Sequence, residues 1–173
     1  MKLTRKSLLF AVYISLAGCV AEDEPDGPYA GTADDFMQIS QLYALYDFNI
    51  DNGDGEAWAD TFTGDGVFRD PSWCAIGREQ LIAIVGREPE VGKDQAQFHM
   101  PSLGPILYQD ADHATVHSTV MVVRETGHGH DGGVGITGTY DDRLVRVNGH
   151  WRFAYRWVHR PADAEPIPCA REY

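Results

Sequence analysis

Residues 34–160 predict an α+β fold, with about three N-terminal helices packed on a curved antiparallel sheet. Three observations predict it. Apolar residues recur every three or four positions in the first half of this stretch. In the second half the period falls to two, and β-branched and aromatic residues alternate with polar ones. The stretch has no internal repeat or second composition block, and its length suits one core.

Thr32-Ala33-Asp34-Asp35 has capping-box form and opens a first helix with Phe36, Ile39, Leu42, Tyr43, Tyr46 and Ile50 on its apolar face. Asn52-Gly53 ends it. A short helix over 54–62 carries Trp58 and Phe62 on one side and stops at Gly64. A strand over 66–70 is closed by Pro71, and 77–87 reads as a third helix burying Leu81, Ile82 and Val85. The strands of the meander are 97–108, 114–124, 136–147 and 151–159. Tight turns are expected at 110–113 and at Asn148-Gly149, and 126–135 is a longer, glycine-rich hairpin loop.

Upstream, Lys2, Arg5 and Lys6 precede the apolar run 8–14, and Leu16-Ala17-Gly18-Cys19 follows. An apolar run this short does not cross ~30 Å of hydrocarbon, so 1–18 reads as a signal peptide. Leu-Ala-Gly-Cys resembles the bacterial lipobox. That resemblance implies acylation of Cys19 as the new N-terminus and attachment to the membrane through this lipid anchor. Val20 follows, with no aspartate to favour inner-membrane retention, which implies a cell-envelope site on the periplasmic face of the outer membrane. An ordinary cleaved signal peptide with an incidental cysteine is the alternative. Residues 19–33 are acidic and punctuated by Gly and Pro, and read as a flexible tether; 161–173 is a Pro-rich tail.

The chain holds 14 basic and 26 acidic residues; without the three basic residues of the leader, 11 against 26 leave a net charge of −15. Such a surface repels polyanions, so no nucleic-acid partner is expected. With Cys19 lipidated, Cys74 and Cys169 remain as a pair in an oxidising compartment. A bridge between them would pin the tail against the loop after the first strand; two free thiols are the alternative.

A series of short stretches spans nearly all of 36–160. They are Ile39-x-x-Leu42-x-x-x-Tyr46-x-x-x-x-Asp51-x-x-Asp54, Phe62-Thr-Gly-Asp65-Gly66-Val-Phe, Gly77-Arg-Glu, Phe98-His99-Met, Asp112-His-Ala114-Thr-Val, Gly138-Thr-Tyr140-x-Asp142 and Asn148-Gly-His-Trp151-Arg-Phe. In order and spacing they resemble the SnoaL-like branch of the NTF2-like superfamily. The resemblance implies a cone of helices and sheet around a deep apolar pocket, a small hydrophobic molecule as ligand, and a homo-oligomer (dimer or trimer) formed through the sheet.

It also implies candidate residues. In scytalone dehydratase and bile-acid 7α-dehydratase, a tyrosine and an aspartate near the end of the first helix face a histidine on the sheet. Tyr46, Asp51 and His99 match that pattern, five and 53 residues beyond the tyrosine. Histidine is a base near neutral pH, Asp51 would orient it, and Tyr46 would donate to the carbonyl or leaving oxygen. Five helical residues turn about 500°, so Tyr46 and Asp51 share a site only if the helix ends between them. Core tyrosine, solvent-exposed aspartate and backbone-bonded histidine form the plainer alternative. Asp70-Pro71, 24 residues after Tyr46, resembles the general base of ketosteroid isomerase, with a turn-capping aspartate as its alternative. Arg124 falls on the inward face with Val116, Val120 and Val122, either to clamp a substrate carboxylate or phenolate or to lie beyond the rim. Tyr140 lines the pocket or packs in the sheet. His128, His130 and Asp131 lie in a glycine-rich loop with no preorganised fourth ligand, so no metal site is expected.

The chain has no nucleotide-binding glycine motif, nucleophile elbow or CxxC pair, so no cofactor is expected and proton transfer is the chemistry its residues perform unaided. These features point to a cofactor-independent lyase (dehydratase) or isomerase for a small hydrophobic carbonyl, polyketide-like or steroid-like compound. A non-catalytic envelope lipoprotein binding a hydrophobic ligand or a partner protein is the alternative.

Overall fold

The computed structural model describes residues 29–85, 97–125, 132–160 and Cys169. The leader, Cys19, most of the tether, the stretch 128–131 and the rest of the tail lie outside the described residues. No helix among the described residues is long and apolar enough to cross a membrane.

In chain order the elements are α1 (Ala33–Asp51), α2 (Gly55–Ala59), β1 (Phe62–Asp70), β2 (Trp73–Ile76), α3 (Arg78–Val85), β3 (Gln97–Ser102), β4 (Ile106–Tyr108), β5 (His113–Glu125), β6 (Gly132–Val147) and β7 (His150–His159). The strands form one curved sheet in the order β2-β1-β7-β6-β5-β3, with β4 also on β5. The three helices pack on this sheet, which is not closed.

The capping box forms as spelled: Thr32 Oγ1 accepts the Asp35 N–H at 3.1 Å, and Asp35 Oδ2 accepts the Thr32 N–H at 2.8 Å. Asp35 is itself buried and also takes bonds from Tyr29 Oη at 2.5 Å, Trp151 Nε1 at 3.2 Å and Arg146. Burial opposes its charge, but the bonds from Tyr29, Arg146 and Thr32 outweigh that and hold the carboxyl below the ordinary range. The start of α1 is thereby tied to β6 and β7. At Asn148-Gly149 both residues have positive φ, 52° and 81°, the geometry of a tight hairpin turn joining β6 to β7.

Several expectations are corrected. The sheet is mixed, because β1 runs parallel to β7 while every other pairing is antiparallel. Alternation of side chains reads the same in either direction, so the sequence pattern carries no sign for this pair. The expected strand 97–108 is two strands, β3 and β4. Between them a Cβ on Gly104 would lie 1.8 Å from the His117 carbonyl oxygen, so the chain passes too close there for a side chain. Strand β1 begins at Phe62 and runs through Gly64, which does not stop α2. Strand β2 was not expected. On α3, Leu81 and Ile84 are buried while Ile82 and Val85 are half-buried, and on α1 Phe36 is 56% exposed.

The core between helices and sheet is aromatic. The Tyr46 ring lies 5.2 Å from Trp58, 5.6 Å from Phe153 and 6.0 Å from Phe62, in tilted and edge-on arrangements. Each such pair adds about 0.5–1.5 kcal/mol beyond the area it buries. A smaller cluster of Val67, Tyr155 and Cys169 covers the opposite face of β1 and β7. Cys169 is disulfide-bonded to Cys74, with Cα atoms 6.1 Å apart. Cys74 lies within β2 and not in a loop, so the bond fastens the tail to the sheet's edge strand.

Candidate active site

A cavity of about 410 Å³ opens between α1, α3 and the concave face of the sheet. Its floor is the buried set Tyr46, Phe68, Val120 and Tyr140; its rim is the partly exposed set Trp73, Arg124, Ile136 and Arg160. His99 enters from β3. The volume and the mostly apolar lining with few polar tips suit a small organic ligand.

His99 and Asp51 are tightly joined. Asp51 Oδ1 lies 2.6 Å from His99 Nδ1, and Asp51 Oδ2 accepts the His99 backbone N–H at 2.8 Å. An ionised carboxylate only accepts, so the ring proton sits on Nδ1 and Nε2 is left as the basic nitrogen. The side chains of His99 and Asp51 are 9% and 13% exposed, so this pairing is nearly sheltered from water. Asp51 itself does not line the cavity and acts behind the ring.

The helix does not end between Tyr46 and Asp51; α1 continues through Asp51, and Asn52 caps it. Tyr46 reaches the cavity directly. Asp51, on another face of the helix, reaches it through the ring of His99 brought alongside by β3. A strand residue thus links the two faces of the helix.

Tyr46 Oη is buried and has no hydrogen-bond partner among the described residues. Burial first, then the neighbouring Tyr140, raise the Tyr46 phenol well above its ordinary value, against the opposing pull of Arg156. Tyr140, ring centroid 6.3 Å away, is pushed up to about 12 by burial. Both phenols therefore stay protonated at neutral pH, and both residues line the cavity. Ser118, the register partner of Tyr140, is also buried, and its Oγ has no hydrogen-bond partner among the described residues.

Asp70 lines the cavity but its carboxylate is occupied. Oδ1 accepts Ser72 N–H at 3.1 Å and Ser72 Oγ at 2.8 Å, and Oδ2 accepts from Arg160. This is the turn-capping arrangement with an added ion pair, a poor state for a general base. Arg124 lies at the rim, its Nε donating to Gln97 Oε1 at 3.0 Å. Among the described residues no cluster of His, Cys, Asp and Glu could hold a metal.

Two charged residues near the cavity, Arg156 and Asp47, were not singled out from the sequence, and Asp142 entered only as part of the family pattern. Arg156 is 1% exposed and donates to Asp142 through Nε and Nη2, both at 2.8 Å. Its guanidinium carbon lies 4.2 Å from the ring centres of both Tyr46 and Tyr140, and Asp142 also accepts from Tyr43 Oη. Asp47, buried, leaves Oδ1 without a partner among the described residues. Burial raises its pKa to about 7, with Arg156 and His99 pulling it down and Asp51 and Asp142 adding to the rise. A carboxyl raised above its unfolded value near ~3.9 contributes stability that is complete below that value and is lost as pH climbs through about 7. Asp47→Asn is therefore expected to gain on the native protein between pH 5 and pH 8, by at most about 1.4 kcal/mol per pH unit. Urea denaturation at both values measures it; a difference that does not change with pH overturns the assignment.

A variant of Rv3472, a function unknown protein from Mycobacterium tuberculosis, is 33% identical over 72% of this chain and 70% of its own, with a TM-score of 0.64. A protein from Catenulispora acidiphila, solved in complex with S-DNPA, is 28% identical over 75% of this chain and 95% of its own, TM-score 0.65. An NTF2-like protein with a cystatin-like fold from Novosphingobium aromaticivorans aligns over 76% of this chain and 84% of its own at 22% identity, TM-score 0.62, a likeness of fold. No curated protein matches the chain. The SnoaL-like domain family matches residues 31–157, and with the bulk of its length inside that match the chain belongs to this family, on an NTF2-like fold.

Proposed function

We propose that this protein is a cofactor-independent proton-transfer enzyme, a dehydratase or isomerase, acting on a small hydrophobic carbonyl compound of polyketide-like or steroid-like shape. The family on this fold includes polyketide cyclases and dehydratases, which supports the reaction class. One observation carries the reading: Asp51 holds the Nδ1 of His99, and the ring lines a cavity floored by the two protonated phenols of Tyr46 and Tyr140. His99 Nε2 removes the proton next to the carbonyl, and Asp51 stabilises the imidazolium that forms. The phenols donate to the carbonyl oxygen as it gains enolate charge. In a dehydration the C–O bond then breaks, its electron pair leaves with the hydroxyl, and the imidazolium proton completes a water molecule. In an isomerisation the same proton returns to a different carbon.

The test begins with a thermal-shift panel of hydrophobic hydroxycarbonyl compounds, since a ligand that binds the native state raises its stability. Binders are incubated with the protein in D2O and followed by mass spectrometry. Loss of one water or uptake of deuterium next to the carbonyl, without added cofactor, is the expected result. Binding with neither change favours the ligand-binding lipoprotein. The leader and the Cys74–Cys169 bond support an envelope location, since such bonds persist in oxidising compartments. Finding Cys19 unacylated in protein expressed with its leader would overturn the anchor.

A further inference from the structure

We propose that Asp47 controls the candidate active site by charge: while it holds its proton the cavity floor accepts an oxyanion, and once it ionises the floor repels one. This rests on the cavity being the substrate site and adds the residue that regulates it.

Asp47 stands midway along one face of α1. Tyr43 lies one turn before it and Asp51 one turn after, and residues four apart on a helix are neighbours, about 5–6 Å apart at Cβ. Tyr43 reaches the buried ion pair: its hydroxyl donates to Asp142, and its ring centre is 4.7 Å from the Arg156 guanidinium carbon. Asp51 reaches His99 through both carboxylate oxygens. Asp47 therefore lies between the ion pair under the floor and the imidazole at its side. It is 8% exposed, is not among the residues lining the cavity, and keeps Oδ1 without a partner among the described residues. The buried carboxylates that serve the fold, Asp35 and Asp142, are instead held by several donors each.

Charged groups face Asp47 from three strands and from its own helix. Burial is the largest influence and raises it to about 7; Arg156 on β7 and His99 on β3 favour its anion, while Asp51 on α1 and Asp142 on β6 oppose it. Arg156 gives its charge to Asp142 through two bonds at 2.8 Å, so that pair is neutral as a whole. An ionised Asp47 leaves the cluster with an excess negative charge beside Tyr46 and Tyr140, whose ring centres are both 4.2 Å from the Arg156 guanidinium carbon. In the proposed reaction these phenols donate to an oxygen gaining enolate charge, and a buried anion behind them repels that charge. The neutral acid does not. Coupling is reciprocal, so an oxyanion in the cavity also strengthens the hold of Asp47 on its proton. Affinity for an oxyanion is then greatest below about 7 and declines as pH rises through that value.

The probes are 2,4-dinitrophenolate, an oxyanion at both pH 6 and pH 8, and its neutral ether 2,4-dinitroanisole, titrated by calorimetry into the full-length protein. From pH 6 to pH 8 the phenolate is expected to lose about threefold to tenfold in affinity, about tenfold being the ceiling one unit above the midpoint, where about a tenth of the molecules keep the proton. The ether is expected to bind equally at both. Asp47→Asn, neutral throughout, is expected to bind the phenolate at pH 8 as tightly as the native protein does at pH 6. Histidine ordinarily titrates in the same range, so His99→Gln is run alongside and should keep a fall in affinity. Carboxyl-carbon NMR of the native protein gives a readout that needs no stable variant: the Asp47 signal should titrate at higher pH with phenolate bound than without. Phenolate affinity that ignores pH, a native pH dependence retained by Asp47→Asn, an Asp47 titration unmoved by the probe, or no phenolate binding at about 1 mM and pH 6 overturns the inference. Any of these with His99-dependent turnover intact refutes the role of Asp47 alone, whereas a His99→Ala protein with full turnover refutes the catalytic reading and leaves the charge control standing.

Discussion

His99→Ala is expected to lower turnover about 10²- to 10⁴-fold on any substrate the native protein converts, with a far smaller change in KM. In the proposed mechanism the ring supplies the base that takes the proton, an interaction made only as the reaction proceeds, and little of the ground-state contact in a mostly apolar cavity. Asp51→Asn tests the same pair from behind. Asp51 uses both oxygens on His99, one for the ring and one for the backbone N–H. An asparagine has one acceptor oxygen, so one of the two bonds is lost and an amide donor faces either Nδ1 or the strand. Turnover is expected to fall, though less than for His99→Ala, because the ring loses the carboxylate that orients it. Thermal melts of both variants separate chemistry from folding. Retention of more than a tenth of native turnover by His99→Ala removes the imidazole from the mechanism.

The sequence was informative where local periodicity and turn chemistry decide the structure. Ile39, Leu42, Tyr43 and Tyr46 fall at helical spacing and are all buried. Phe36, one turn earlier on the same stripe, is exposed, because periodicity defines a face but not how far along it the sheet extends. Tyr46, Asp51 and His99 were found together, although 48 residues separate the last two, because a family pattern records contacts that periodicity cannot. Asp47 and Arg156 show the limit. A charged residue reads by default as solvated, and its burial is settled by partners elsewhere in the chain: Asp142 lies 14 residues from Arg156, and Tyr43 lies 99 from Asp142. On β7 the alternation also breaks, since Tyr155 and Arg156 are both buried. The tail cysteine covers Tyr155 from the outer side, which strand alternation could not register.

Asp142→Ala is expected to cost about 3–5 kcal/mol of folding stability, among the largest effects of any single change in this chain. Asp142 and Arg156 side chains are 0% and 1% exposed, and the guanidinium cannot neutralise itself by losing a proton. Removing the carboxylate leaves a full positive charge among the rings of Tyr43, Tyr46, Tyr140 and Phe153, each within 4.7 Å of its centre. Aromatic faces attract a cation by only about 2 kcal/mol when it is desolvated, too little to replace the bidentate pair. If charge is the cause, deleting both partners should repair most of the damage: Asp142→Leu with Arg156→Met, plus Tyr43→Phe to remove the hydroxyl left without its acceptor. Chemical denaturation of the single and triple variants measures the difference, and a single variant within about 1 kcal/mol of native sinks the account. Stability and activity should then part company. The triple variant regains a packed core but lacks the cation that lies 4.2 Å beneath both Tyr46 and Tyr140 and sets the potential at the cavity floor. Stability regained without turnover would place the contribution of this pair to the proposed reaction in the charge beneath the cavity floor and not in the fold.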